Sequence, residues 1–519
     1  METTQSHPWL TAAGLISCLW FLKNIGGKKL NPNRLPHPPG PKGLPFLGAM
    51  FEVPSLSQKP WLVYDKWFKT YGDIIYFEIL GQPFMILGSL KRTNDIFDKR
   101  SSNYSDRKLS SMLELMGWTF SVVRMPYGTM WRRHRRAFHE HFHVNAVQKY
   151  IPIQTKEIQV FLNRLLMTPE NFIHHIRHAF AATVMNISYG LTVLEYDDPY
   201  ITNAEESLRG LTEAGVPGAF LVDLLPILKH VPAWFPGAGF RRKAAHYAVV
   251  NTDLVDLPFK AVKREMAKGT AVPSVLTSLL EEFPGNEGLE KEEEEFISRN
   301  VAAIGYIAGV DTTVSSTETF FLAMAMYPEA QRKAQAEIDA IVGTNRLPDS
   351  NDRPHLPYVN AIIKESMRWQ LVVPLGVAHM ATDDDEYEGY FIPKGTVVIG
   401  AAWSILHDPE VFEAPGEFRR ERYLKDGQIN PSVRDPGVAV FGFGRRMCPG
   451  KHLGDVSLYS VVSSVLAVYN ISAPMDEFGR PVQLQAKYKS GFLSSPVPFK
   501  CTIQPRSKVA ESLIRGSSD

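Results

Sequence analysis

Phe441-Gly-Phe-Gly-Arg-Arg-Met-Cys-Pro-Gly450 places three glycines, two arginines and a cysteine in ten residues, and Lys451 to Ala467 after it can form a helix. Glycines reach backbone conformations closed to other residues and let a chain come close to a flat ligand. N–H groups at a helix start favour an anion such as a thiolate. Two readings stay open on these residues alone: a tight turn around a buried cysteine, and a loop that presents Cys448 as a ligand. The chain has three cysteines, Cys18, Cys448 and Cys501. They are too few and too far apart for a disulfide framework or a CxxC metal site, which points to a reducing compartment. Cys18 and Cys501 read as small buried hydrophobes.

Outward from that loop the pattern is mostly helical. Val301 to Phe320 (VAAIGYIAGVDTTVSSTETF) is apolar around nearly its whole circumference, which predicts a helix through the centre of a protein. Glu292 to Glu295 before it suit a helix N-terminus. Ile74 to Ile79 and Thr396 to Ile399 are β-prone, but such pieces are too few for a doubly wound sheet, so the class is mainly α with small β-sheets. A chain of 519 residues is long enough for several domains, yet no linker divides it. With 44% hydrophobic residues, 21% charged and a net charge of +1, the composition is that of a globular protein with a large core and gives no footing for nucleic acid.

Three parts are expected. Residues 1–30 read as an N-terminal membrane anchor, because Trp9 to Leu22 carries no charge and Lys23, Lys28 and Lys29 follow it. As a helix this run is ~21 Å long against a hydrocarbon core of ~30 Å, so a thin-membrane span and a half-inserted anchor are both open. The lysines would keep the rest of the chain cytosolic. Residues 31–45 are proline-rich and read as a stiff hinge, and 46–519 as a single catalytic domain.

The cysteine stretch resembles the signature F-x-x-G-x-R-x-C-x-G of the cytochrome P450 family, matched at every fixed position by Phe441, Gly444, Arg446, Cys448 and Gly450. The resemblance implies a helical prism around a buried haem b. Cys448 would be the thiolate ligand to iron, Arg446 the partner of a haem propionate, and Phe441 the ring beside the sulfur. Other family motifs occur in order. Ala308-Gly-Val-Asp-Thr-Thr313 matches the oxygen-activation motif, in which the glycine lets the helix pass close to the haem, Thr312 orients oxygen and Asp311 links it to solvent. Against this stands a plain helical reading, in which Thr312 bonds to its own helix and Asp311 forms a salt bridge.

Glu365-Ser-Met-Arg368 matches E-x-x-R, which the family joins to a later arginine, here Arg422, in a buried structural triad. The surrounding segment departs from the family pattern, with Arg420 in place of proline and Tyr423 in place of phenylalanine. Trp131 and Arg135 match W-x-x-x-R, four residues apart and able to reach one propionate, while His379 stands where the family sets a base against the other. The resemblance further implies a haem-dependent monooxygenase with its catalytic domain on the cytosolic side of the endoplasmic reticulum membrane. It would take electrons from a separate NADPH-cytochrome P450 reductase, docked near Arg132, Arg133, Arg136, Arg445 and Lys451.

Leu113 to Val123, Leu371 to Val377 and Ser490 to Leu493 resemble pocket-lining segments and are mainly apolar, implying a hydrophobic substrate. The chain looks most like fungal secondary-metabolism members, which makes a terpenoid the first reading and an aromatic or indole-type metabolite the second. Two rivals are a zinc-dependent hydrolase using His139, Glu140 and His143 of His139-Glu-His-Phe-His143, which satisfies H-E-x-x-H, and a non-catalytic haem- or lipid-binding membrane protein. The first lacks a third ligand downstream, and the second has no need of Asp311 and Thr312.

Overall fold

The hairpin that begins the fold is buried along most of both strands. In a computed structural model that describes residues 31–55, 58–216, 218–282 and 288–516, α1 (Pro60–Tyr71) opens on a proline, where a missing N–H costs nothing. Then β1 (Ile74–Ile79) and β2 (Gln82–Leu87) pair antiparallel, Ile74 against Leu87 and Ile79 against Gln82. The helical body follows as α2 (Thr129–Phe142), α3 (Ile151–Met167), α4 (Phe172–Tyr189), α5 (Pro199–Ala214), α6 (Gly239–Lys268), α7 (Leu289–Met326) and α8 (Pro357–Trp369). Next come β3 (His379–Met380) and β4 (Val397–Gly400), and after the cysteine loop α9 (Lys451–Val468). β4 joins β2 in parallel, Phe84 against Val397, and β3 joins β4 antiparallel, His379 against Val398. That sheet fixes His379 beside the N-terminal hairpin.

The all-round apolar pattern of Val301 to Phe320 does produce a central helix. Val301, Ala303, Ile304, Ile307, Val310, Val314, Phe320 and Phe321 of α7 are all buried, against α4 on one side and α2 and α9 on others. The helix is 38 residues long and begins earlier than expected, with Glu290 and Glu292 in its first turn, so Glu293 to Glu295 sit inside it. α4 runs antiparallel to α7: Ser188 lies against Gly305 and Val184 against Gly309, and Phe172 stacks on Phe321 at 5.5 Å.

The proline-rich segment lies extended and is pinned to the sheet region. Tyr76 N–H donates to the Pro39 carbonyl and Phe391 N–H to that of Pro36, both at 2.9 Å, and the His37 ring stacks on Tyr76 at 4.4 Å. The anchor expected over 1–30 lies outside the described residues. Among those described, no helix is long and apolar enough to cross a membrane.

Candidate active site

The loop before α9 folds back through a hydrogen bond from Cys448 N–H to the Phe441 carbonyl, 2.8 Å. Gly444 is required there: its φ is +56°, and a Cβ would lie 2.2 Å from the Phe97 carbonyl oxygen. Cys448 has an exposed surface, yet enough protein surrounds it that desolvation pushes its thiol pKa up, against the downward pull of the Gly450 N–H, Arg135 and Lys451. Both hold for a sulfur that faces an interior cleft. Such a sulfur becomes a thiolate readily once a metal cation binds it.

Around this cleft the fold gathers bases with few acids. Arg446, buried, donates from Nε to the Ser105 carbonyl at 2.7 Å and from Nη2 to that of Met125 at 2.9 Å, and its guanidinium lies 4.5 Å from the centre of the Trp131 ring. His379, also buried, donates from Nδ1 to the Tyr104 carbonyl at 2.7 Å and packs on Phe97, ring centres 4.2 Å apart. Arg135 is half-buried and close enough to Cys448 to feel its charge.

Sequence reasoning missed a further member, Arg107. It is 5% exposed, donates from Nη1 to the Val377 and Ala378 carbonyls, and leaves a buried Nε without a partner. No spacing rule marks it, because it stands in a loop and reaches the site only through the sheet that carries His379. Desolvation lowers the pKa of all four bases, Arg446 to about 10. The carboxylate among them, Asp106, spends Oδ1 on the N–H groups of Arg107 and Tyr127. Buried cations are costly until anions meet them. A ligand with two carboxylates and a metal centre open to sulfur, which haem is, fits this donor set.

On α7 the oxygen-motif residues divide between helix packing and open space. Gly309 serves the packing of α4, since a Cβ there would press on Val184 at 3.3 Å. The residue with open space beside it is Ala308, which is exposed within the buried central stretch of the helix, with Thr312 one turn on and half-buried. The Thr312 hydroxyl donates to the Ala308 carbonyl at 2.8 Å, and Asp311 accepts from Arg177 Nη1 at 2.7 Å. These are the bonds of the plain helical reading, made at the edge of an open space.

Glu365, Arg368 and Arg422 are brought together in the interior. Arg368 Nε and Nη2 donate to the two Glu365 oxygens at 2.8 and 2.9 Å, and Arg422 Nε reaches both at 3.1 and 3.2 Å. Arg420, in the position of the family's proline, pairs outward with Tyr358 and Glu329 at 2.7 and 3.1 Å and leaves this geometry intact. His139 and His143 have ring centres 5.3 Å apart, but α2 ends at Phe142, so His143 is beyond the helix. Among the described residues no three His, Cys, Asp or Glu side chains are placed to hold a metal ion.

Of the docking bases, Arg133 is taken up by Glu293 and Glu294, whereas Arg132 and Arg445 lie over the Tyr127 ring, 5.8 and 5.6 Å from its centre. Two of the three expected pocket segments line one cavity: Pro374, Leu375 and Gly376 with Gly491 and Phe492, facing Gly215 and Val216. In the third, Leu113, Met116, Trp118, Phe120 and Val122 are buried.

Residues 38–503 match the family model for cytochrome P450. The chain is 45% identical to cytochrome P450 monooxygenase COX1 of Coprinopsis cinerea, over 99% of this chain and all of that one. It is 47% identical to COX2 of the same fungus over 93% and 92%, and 39% identical to tryptamine 4-monooxygenase of Psilocybe cyanescens over 96% and 98%. The chain belongs to the cytochrome P450 family and is an oxidoreductase of the monooxygenase class. Family membership displaces the zinc-hydrolase and non-catalytic readings.

Proposed function

We propose that this P450 hydroxylates or otherwise oxidises a hydrophobic secondary metabolite, with a terpenoid scaffold as first reading, using dioxygen and electrons from a separate NADPH-cytochrome P450 reductase. The observation that carries the reading is the meeting of an inward-facing Cys448 sulfur, a set of buried bases short of acids, and the open Ala308–Thr312 strip of α7, which packs on both α2 and α9. Haem, when bound, supplies the redox chemistry. Cys448 would be its sulfur ligand, and Arg107, Trp131, Arg135, His379 and Arg446 would hold its carboxylates, with Phe441 shaping the sulfur loop. The Thr312 oxygen keeps lone pairs free to accept while its hydrogen rests on the Ala308 carbonyl, and a turn of the hydroxyl would point that hydrogen into the open space beside Ala308. Asp311 carries protons to Thr312 from the surface side, where Glu205 lies near Arg177.

The apolar side chains of Phe77, Phe84, Leu375 and Phe492, which line one cavity, support a hydrophobic substrate. The indole reading is favoured by one observation, the relative named for tryptamine. Attachment to the endoplasmic reticulum membrane is supported by exposed apolar side chains in two stretches, Phe46 and Phe51 in one, Ile227, Trp234 and Phe235 in the other. The test is spectroscopic. Reduced protein under carbon monoxide shows the red-shifted Soret band of thiolate ligation, Cys448→Ser loses it, and Cys501→Ser keeps it. A surviving band in Cys448→Ser refutes the assignment, and product analysis with terpenoid and indole candidates decides the substrate.

A further inference from the structure

Asp311 and Glu318 stand seven residues apart on α7, two turns and about 10 Å along one face. Because Val184 of α4 meets Gly309 and Phe172 meets Phe321, Arg177 of α4 comes level with the gap between the two carboxylates. Arg177 already has two carboxylate partners: Nη1 donates to Asp311 at 2.7 Å and Nε faces Glu205 of α5 at 3.1 Å. Glu318 is 7% exposed, and among the described residues its carboxylate has no ion-pair or hydrogen-bond partner. The charges that face it are Arg177 from α4, exposed Lys489 from the C-terminal segment, and Asp311 on its own helix. The other titratable neighbour is Tyr488, whose hydroxyl donates to Thr319 at 3.2 Å. Glu318 is thus a largely buried residue with an unpaired carboxylate, set beside an arginine already given to two other carboxylates.

We propose that Glu318 and Asp311 share Arg177, so that ionised Glu318 draws the guanidinium away from Asp311 and frees that carboxylate to serve Thr312. The inference rests on the reading of Asp311 and Thr312 as the proton path and makes Glu318 a positioning residue. Burial pushes Glu318 up to about 7, with Arg177 and Lys489 pulling it down and Asp311 pushing it up. Protonated, Glu318 leaves Arg177 on Asp311 and Glu205. Ionised, it loses its proton to water on the Lys489 side, and three carboxylates compete for one guanidinium. Only the carboxyl O–H breaks.

The experiment uses holoenzyme with its reductase and reads peroxide released per NADPH consumed, since failed proton delivery lets reduced oxygen leave as peroxide. With a midpoint of about 7, the ionised fraction rises from about a tenth at pH 6 to about nine-tenths at pH 8. Wild type should release several-fold less peroxide per NADPH at pH 8, while Glu318→Gln, neutral throughout and of equal size, stays at the pH 6 level with its carbon monoxide spectrum intact. A second readout needs no turnover: infrared titration should show a protonated-carboxyl C=O band that vanishes near pH 7 in wild type and is missing in Glu318→Gln. The inference is overturned if Glu318→Gln follows the wild-type pH profile, or if that band is absent at pH 6. Asp311→Asn separates the two readings: an unchanged peroxide ratio there overturns the proton path and this inference together, whereas a raised ratio alongside a wild-type-like Glu318→Gln overturns this inference alone.

Discussion

Replacing Glu365 by glutamine changes one atom and strips the counter-charge from two guanidinium groups. Glu365 and Arg368 have fully buried side chains, and that of Arg422 is 9% exposed. The two carboxylate oxygens receive Arg368 Nε and Nη2, Arg422 Nε and the Arg419 N–H at 2.7 to 3.2 Å. Glutamine offers one oxygen and turns an NH2 toward donors. Removing one partner of a buried ion pair costs about 3–5 kcal/mol, mostly because the surviving charge stays desolvated. At about 2.1 cal/mol/K of unfolding entropy per residue, a chain of 519 residues carries about 1.1 kcal/mol/K, so the melting midpoint should fall ~3–5 °C. The control is Glu511→Gln, whose pair with Arg515 is 42% and 57% exposed; it should shift the midpoint by about 1 °C or less. Far-UV dichroism and Soret loss are followed at one scan rate, because large haem proteins unfold irreversibly. A Glu365→Gln midpoint no lower than that of Glu511→Gln would show that the triad does not support the fold in the way its burial implies.

Three further outcomes are expected. Thr312→Ala should keep the carbon monoxide spectrum yet divert NADPH electrons to peroxide, with product falling ~100-fold or more if the hydroxyl positions protons; unchanged coupling means it only satisfies its helix. Arg107→Ala should weaken haem retention, seen as faster transfer of haem to apomyoglobin, and a wild-type transfer rate would remove Arg107 from the binding set. Trp234→Ser with Phe235→Ser, in a chain truncated before Pro36, should shift protein from the liposome pellet to the supernatant, and undiminished pelleting would place the contact elsewhere.

What was legible in the sequence follows from how local each signal is. The buried helix and the cysteine loop are each set by neighbours in the chain, through apolar periodicity and glycine placement, so the central course of α7 came out as read, although the helix starts before Glu292. The triad was legible as Glu365 and Arg368 because helical spacing fixes one face, whereas Arg422 needed the family pattern to join them. Arg107 was not legible at all. It owes its place to β2 and β4 pairing in parallel across most of the chain, and no residue near Arg107 encodes that pairing. The packing at Gly309 was not legible for a related reason: which neighbour a helical glycine accommodates is decided by register, and here Val184 lies against it.

Thr312 and Asp311 make the bonds that a purely structural role would predict, and this does not decide against chemistry. A hydroxyl bond to a helix carbonyl is worth about 0.5–1.5 kcal/mol net, so turning Thr312 away from Ala308 costs less than a hydrogen bond to a charged group would return, about 1.5–3 kcal/mol. Location separates the roles. Thr313 makes the same 2.8 Å bond to the Gly309 carbonyl but is 9% exposed, so its rotation gains nothing, whereas Thr312 stands one turn from Ala308 at the open space. Asp311 is held more firmly, by a guanidinium that also faces Glu205. Releasing it takes a competing anion within reach of Arg177, and the buried carboxylate that feels the Arg177 charge most directly is Glu318.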